Sequence, residues 1–217
     1  MMLSEMQQDA LTEIFNICVG RAAGILSEVV SRKIELSIPE IELQSAGNVT
    51  ACRLASCMGN TSGHVMSSSL QFGQEYNGKA FLLFAADQAK LLVNLCLNEE
   101  VDENMAAFAE KELLDTDFDV IKEIGNIILN SVVGGLGNLL TTNLTYSLPE
   151  VEMLFVSTEV QADVLKSNIY VLMLKTLFSI ANTQFRGTIL IALGMDSVTR
   201  LIAKIDDMVE ESDEFTV

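Results

Sequence analysis

Several residue types on which common active sites depend are scarce in this chain. It has one histidine (His64), no tryptophan, and four cysteines without a Cys-x-x-Cys pair: Cys18, Cys52, Cys57 and Cys96. This spacing excludes zinc sites of the Cys/His type, and the cysteines are expected to be small buried hydrophobes. A Ser-His-Asp or Cys-His mechanism would need His64, and no nucleophile motif surrounds any serine or cysteine. We therefore expect no metal or cofactor of the chain's own.

Basic residues are also scarce, at 13 against 30 acidic residues, for a net charge of −17. Such a surface repels phosphate backbones and anionic lipids, so we expect no nucleic-acid binding and no membrane association. The acids cluster, with nine in residues 99–119 and six in residues 206–214. The second cluster is interpreted as a solvated, frayed terminus.

Long apolar runs and a signal peptide are missing as well. No uninterrupted apolar run reaches the roughly 18 residues that span a bilayer, and no basic cluster precedes an apolar stretch at the N-terminus. With 217 residues and 49% hydrophobic content, the chain has enough apolar material for one substantial core. The sequence predicts a globular cytoplasmic protein.

An internal repeat dominates the remaining pattern. The spacing Asp-x3-Glu-x2-Asn-x22-Pro occurs at Asp9, Glu13, Asn16 and Pro39 and again, 110 residues later, at Asp119, Glu123, Asn126 and Pro149. The segment that starts at Gly78 is matched by the one that starts at Gly187. We therefore divide the chain into a first repeat (1–108), a second repeat (109–208) and an acidic tail (209–217).

Each repeat predicts the same order of elements. A long helix (Ser4–Val30 and Lys111–Leu140) precedes a short strand that ends before the proline, an extended segment, a β-hairpin and a shorter helix. The shorter helices, Asp87–Leu97 and Asp196–Met208, each begin with an aspartate suited to an N-cap. The fold class predicted is α+β: an antiparallel sheet from both repeats, packed by helices around a pseudo-two-fold axis. The hairpin strands are apolar at both odd and even positions. Because successive side chains point to opposite faces, we expect both faces of the sheet to be covered.

The long helices should each show one apolar and one polar face. At 100° per residue, the predicted core face of the first helix is Leu11, Ile14, Phe15, Cys18, Ala22, Ile25 and Val29. Asp9, Glu13 and Asn16 lie opposite, and the second helix repeats this with Asp119, Glu123, Asn126 and Asn130. Glycines such as Gly20, Gly24 and Gly134 lie near these polar faces. A helical glycine costs about 1 kcal/mol relative to alanine, which predicts close approach of another backbone, either within the protein or from a partner.

The doubled motif resembles the CheC family of bacterial and archaeal chemotaxis phosphatases, which groups with CheX and part of the flagellar switch protein FliY. The residues 13–27 and 123–131 are similar to the family's two motif helices, and the resemblance runs from Leu3 to about Met208. It implies dephosphorylation of a CheY-type response regulator. Asn16 and Asn126 would then enter the regulator's active site, and Glu13 and Glu123 would pair with its lysine. Asp9 and Asp119 would be accessory, and Pro39 and Pro149 structural.

The resemblance also implies partners. Mg²⁺ would be held by the phosphorylated regulator, and a receptor deamidase of the CheD type is a further partner. Two alternatives stay open: a docking module of the chemotaxis or flagellar switch system with little turnover, and a protein whose main role is to bind the deamidase. The sites also differ, since Phe15 precedes Asn16 where Gly125 precedes Asn126. We therefore expect the second site to be the stronger one.

Overall fold

The computed structural model describes residues 3–49, 63–73, 77–97, 99, 114–156, 169–180 and 183–214. Within these ranges the chain forms four α-helices and one antiparallel sheet of eight strands. The helices are α1 (Glu5–Val30), α2 (Ala86–Cys96), α3 (Asp115–Leu139) and α4 (Met195–Glu214). The strands are β1 (Ile34–Leu36), β2 (Glu40–Ser45), β3 (Gly63–Gly73), β4 (Gly78–Ala85), β5 (Thr145–Tyr146), β6 (Glu150–Val156), β7 (Ile169–Ile180) and β8 (Thr183–Gly194). The α+β prediction is confirmed.

Strands are exchanged between the two repeats. The sheet runs β1-β7-β8-β4-β3-β5, with β2 also paired to β7 and β6 also paired to β3. The first repeat's β1 and β2 therefore pair with a strand of the second repeat, and β5 and β6 pair with a strand of the first. The two hairpins meet at the centre, where β4 pairs with β8. Each repeat thus depends on the other for its edge strands.

Both faces of the sheet are covered, as the apolar strands predict. Leu172 and Leu174 of β7 belong to the main core, which includes the helices. Val171 and Met173, which alternate with them, belong to a second cluster with Ala46 and neighbouring apolar side chains. Because successive side chains of a strand point to opposite faces, the two clusters lie on the two sides of the sheet.

The ends of the two long helices match at the spacing of the repeat. Ser31 after α1 and Thr141 after α3 both have φ of 53°, in the left-handed region. The next residue in each repeat closes the same turn: Arg32 N donates to Ser27 O over 3.2 Å, and Thr142 N donates to Gly137 O over 2.9 Å. These turns satisfy carbonyls that would otherwise lack partners at the helix ends.

A serine before each motif proline ties the strand turn to the sheet. Ser37 N donates to Leu177 O, and Leu177 N donates back to Ser37 Oγ, both over 2.9 Å. Ser147 makes the same pair of bonds with Gln71, at 2.8 and 2.9 Å. Pro39 and Pro149 are both buried next to these turns. Each proline therefore lies at the break between two short strands that pair with the same strand of the other repeat.

Helix α1 begins as predicted, but its core face is turned. Ser4 is the N-cap in a capping box with Gln7. Ile25 and Val29, predicted as core, are 42% and 59% exposed, whereas the buried side chains of α1 are Leu11, Phe15, Val19, Ala22, Ala23 and Leu26. This face is rotated by roughly 60° from the predicted one at 100° per residue. The rotation brings the side of α1 that carries Asn16 nearer to the core.

By length and composition alone, α1 is apolar enough to cross a bilayer, although polar and charged residues interrupt its apolar runs. In the structure α1 is an amphipathic core helix. Leu11 and Phe15 are fully buried, and Glu13 and Gly20 are exposed.

The shorter helices depart from the predicted caps. The N-cap of α2 is Ala85, and Asp87 lies inside the first turn. Asp196 likewise lies in the first turn of α4. A carboxylate there still interacts favourably with the helix dipole. Helix α4 continues past the predicted end at Met208 to Glu214, since Val209 packs against the core.

A buried ion pair joins α2 to the start of α3. Lys90 Nζ donates to both carboxylate oxygens of Asp117 at 2.8 Å, and the two side chains are 12% and 2% exposed. Asp117 Oδ2 also accepts from Leu114 N at 2.8 Å, so the same carboxylate caps the helix. Burial makes such a pair costly to break, because one charge is left without a partner.

We expect Asp117→Ala to lower the free energy of unfolding by about 3–5 kcal/mol, the usual cost of breaking a buried pair. The control is Glu35→Ala, which removes an exposed pair with Lys33 and should cost less than about 1 kcal/mol. Urea unfolding followed by circular dichroism measures both. Equal losses in the two variants would contradict the role given to Asp117.

Candidate functional site

The two copies of the motif lie on two helices that contact each other directly. Helix α1 packs against α3, where Ser131 Oγ of α3 donates to Cys18 O of α1 over 2.7 Å. A Cβ added to Gly135 would lie 2.1 Å from Cys18 Sγ. A larger residue at position 135 would therefore displace the Cys18 side chain, so the glycine permits a close approach of the two helices.

The structure places the repeated polar residues as follows. Glu13 and Glu123 are exposed, Asn16 and Asn126 are half-buried, and Asp9 and Asp119 are exposed. The half-buried position of the asparagines follows from the rotation of α1 and from the deeper burial of α3. Each amide thus lies at the edge of a packed helix face, where its backbone is held and its side chain is still open to solvent.

The second site has a neighbour that the first one lacks. Asn130 Nδ2 donates to Asn126 Oδ1 over 2.8 Å, one helical turn away. At the matching place in the first repeat lies Gly20, which is exposed and has no atom within 4 Å of a built Cβ. From the sequence alone, Asn130 is one of several residues on the polar face. One sequence feature could have singled out Asn130: the residue 110 positions earlier, at the matching place in the first repeat, is Gly20 rather than asparagine.

The residue before each asparagine sets how the helix meets the sheet. A Cβ on Gly125 would lie 2.0 Å from Ser68 Oγ and 2.5 Å from Ser68 Cβ, so α3 rests closely on β3. Phe15 of α1 is fully buried in the core instead. The sequence prediction that helical glycines mark close approach therefore applies to Gly125 and Gly135. Gly20 and Gly24 have open space beside them, so no approach from within the described part of the protein accounts for these two.

The cysteines near these helices are kept as thiols. Burial raises the pKa of Cys18, although Arg21 nearby opposes the shift, and burial raises the pKa of Cys96 to about 11. A thiol with a raised pKa is a poor nucleophile near neutral pH, because the thiolate is the reactive form. Cys96 is buried as predicted and Cys18 is half-buried, while Cys52 and Cys57 lie outside the described residues.

His64 is exposed on β3, with its ring 5.1 Å from that of Phe155. Within the described ranges, no three His, Cys, Asp or Glu side chains come together as a metal-binding group. The chemistry available on the motif helices is therefore that of carboxylates and carboxamides: ion pairing by glutamate, and both donation and acceptance of hydrogen bonds by asparagine.

Curated relatives of this chain include two from Bacillus subtilis, while no family model matches. The chain is 25% identical over 151 residues to the CheY-P phosphatase CheC of Bacillus subtilis, covering 70% of this chain and 68% of the relative. It is 20% identical over 161 residues to the flagellar motor switch phosphatase FliY of Bacillus subtilis. That match covers 74% of this chain but only 39% of FliY, so FliY is much the longer protein.

Solved structures share the fold over nearly the whole chain. Thermotoga maritima FliY superposes with a TM-score of 0.72 at 20% identity, covering 95% of this chain and 99% of that one. The FliM middle domain of Helicobacter pylori superposes with a TM-score of 0.62 at 12% identity, covering 93% and 99%. The chain therefore has the α+β fold found in FliY and FliM. With the relatives named CheC and FliY, this fold supports a CheC-family protein.

Gly125→Ala should lower the free energy of unfolding by about 1–3 kcal/mol, because the new methyl group overlaps Ser68 Cβ. Gly20→Ala is the matched control. It adds the same methyl group to a motif helix in open space and should raise stability by up to about 1 kcal/mol. Ser68→Gly combined with Gly125→Ala should recover part of the loss. Thermal unfolding of the variants measures these changes, and a neutral Gly125→Ala would reject the close contact with β3.

Proposed function

We propose that this protein is a phosphatase that hydrolyses the aspartyl phosphate of a CheY-type response regulator. The observation that supports this most directly is the pair of Glu-x-x-Asn motifs, each with an exposed carboxylate and a solvent-accessible amide on a helix that is rigidly packed. The 25% identity to the CheY-P phosphatase CheC adds to it. We place the protein in the cytoplasm, where such a regulator would be found.

The reaction needs little chemistry from this chain. An aspartyl phosphate is an acyl phosphate, which is already activated towards hydrolysis, and in the proposal the regulator supplies the Mg²⁺ that neutralises the phosphoryl oxygens. What remains is to place a water molecule in line with the bond that breaks, and positioning dominates the catalysis of phosphoryl transfer. The water attacks phosphorus, the bond from phosphorus to the aspartate oxygen breaks, and inorganic phosphate and the free carboxylate are the products.

In this proposal Asn16 and Asn126 hold the water. A carboxamide presents an N–H donor and a carbonyl acceptor side by side, so it can fix both the position and the orientation of one water. Neither amide titrates near neutral pH, so in this proposal the proton of the attacking water is taken up by an oxygen of the product phosphate. The packing of α1 on α3 keeps the helix backbones fixed while the amides enter the regulator's site.

Glu13 and Glu123 have a separate role in the proposal. Each lies three residues before an asparagine, which places the two side chains on neighbouring positions of one helix face. A carboxylate there can pair with the regulator's lysine and so set the depth and angle at which the amide enters. Asp9 and Asp119 are exposed one turn further away and would contribute only to the local negative charge.

Asn16→Ala combined with Asn126→Ala should reduce phosphate release from the phosphorylated regulator about 100-fold or more, since one misplaced polar group can cost this much. Asn138→Ala is the control, because Asn138 is exposed on the same helix as Asn126, outside the motif. The readout is loss of label from a radiolabelled regulator at substoichiometric phosphatase. Undiminished release by the double variant would reject the mechanism.

The same assay decides between catalysis and docking. The fold is shared with the FliM middle domain, so a non-catalytic role in the flagellar switch is the competing function. An enzyme clears a large excess of phosphorylated regulator, whereas a docking module binds one equivalent and leaves the rest. Pull-down with a CheD-type deamidase, with and without the phosphorylated regulator, tests the further partner that the family resemblance implies.

A further inference from the structure

We propose that Asn130 is a positioning residue for Asn126 and that it makes the two sites unequal. The inference rests on the proposed function, which gives Asn126 the task of holding water. It concerns one hydrogen bond, from Asn130 Nδ2 to Asn126 Oδ1 at 2.8 Å. Asn130 would not touch the regulator's phosphate, and would act only through the orientation of Asn126.

The hydrogen bond restricts the rotation of the Asn126 amide. A carboxamide has one oxygen that accepts and one nitrogen that donates, and the two ends can exchange by rotation. Because Asn130 Nδ2 occupies one lone pair of Asn126 Oδ1, rotating the Asn126 amide alone would set two N–H groups against each other. The Asn126 amide can therefore turn over only together with that of Asn130, so its motion is restricted before any partner binds.

Asn130 itself is placed at a cost. Its Oδ1 atom is buried and has no hydrogen-bond partner within the described part of the chain. An unpaired buried acceptor destabilises the folded state, because it loses its hydrogen bonds to water. A small apolar residue at this position would avoid that cost, so the side chain is poorly explained by stability alone.

The first repeat shows the same helix without this contact. Gly20 occupies the matching position, 110 residues earlier, and nothing lies within 4 Å of where its Cβ would be. Asn16 has no side-chain hydrogen bond to any residue in the described ranges. Its amide must therefore be ordered when the regulator binds, whereas that of Asn126 is ordered in advance. Pre-ordering a catalytic group lowers the entropy lost on reaching the reactive geometry.

The test isolates each site with the full chain. In an Asn16→Ala background only the second site works, and we expect Asn130→Ala and the isosteric Asn130→Asp both to lower kcat about three- to tenfold, the range that one hydrogen bond sustains. KM for the phosphorylated regulator should stay within about twofold, because binding is left to the glutamates. An unchanged kcat, or a loss confined to KM, would overturn the proposal.

The reverse substitution tests the same idea in the first site. In an Asn126→Ala background, Gly20→Asn should raise kcat about threefold by giving Asn16 the neighbour it lacks. Gly20→Ala is the control, since it raises helix propensity more than asparagine does and brings no donor. If Gly20→Ala raised kcat as much as Gly20→Asn, a general effect on helix stability would replace the proposed one.

A readout without activity separates this inference from the proposed function. NMR relaxation of the side-chain amide groups should find Asn126 more ordered than Asn16, and Asn130→Ala should make the two alike. If the wild-type protein released no phosphate but this difference held, the phosphatase assignment would fail and the positioning by Asn130 would stand. If the amides of Asn16 and Asn126 were equally mobile in the wild type, the positioning would fail whatever the activity.

Discussion

The exchange of strands between the two repeats is the constraint on which the rest of the structure depends. Strands β1 and β2 find their hydrogen-bond partners on β7, and β5 and β6 find theirs on β3. The turns that hold Pro39 and Pro149 lie between two short strands, and both strands of each set pair with the same strand of the other repeat. Because the edges of each half are supplied by the other, the two motif helices are fixed over one shared sheet.

The two repeats share the same backbone geometry at matching positions, but many of their side chains differ. The left-handed residues Ser31 and Thr141 and the paired serines Ser37 and Ser147 keep the same geometry in both halves. The neighbours of the two asparagines differ, with Phe15 and Gly20 on α1 where α3 has Gly125 and Asn130. A duplicated scaffold can in this way support two sites of the same chemistry with different degrees of order. Asp117 forms a buried ion pair with Lys90. Gln7 occupies the matching position in the first repeat, and it donates a hydrogen bond to Asp206 instead of forming an ion pair.

Much of the fold could be predicted because the signals were local. Apolar runs, prolines and a serine cap mark strands and helices along the chain. The apolar residues at helical spacing on the second motif helix are all buried: Ile121, Ile124, Ile128, Val132 and Leu139. The predictions failed where burial or capping depends on which elements pack nearby. Ile25 and Val29 have the right spacing for a core face, but little packs over their side of α1. Asp87 suits an N-cap, yet Ala85 takes that position because α2 begins directly at the end of β4.

The sequence by itself determined the doubling, the fold class and the candidate residues Glu13, Asn16, Glu123 and Asn126, because a repeated pattern of polar residues is visible without coordinates. Only the tertiary structure decided which strands pair across the repeats and that α3 rests on Ser68 through Gly125. The physical reason is distance along the chain. Contacts between residues far apart in sequence leave no periodic trace, and they form only when the whole sheet closes.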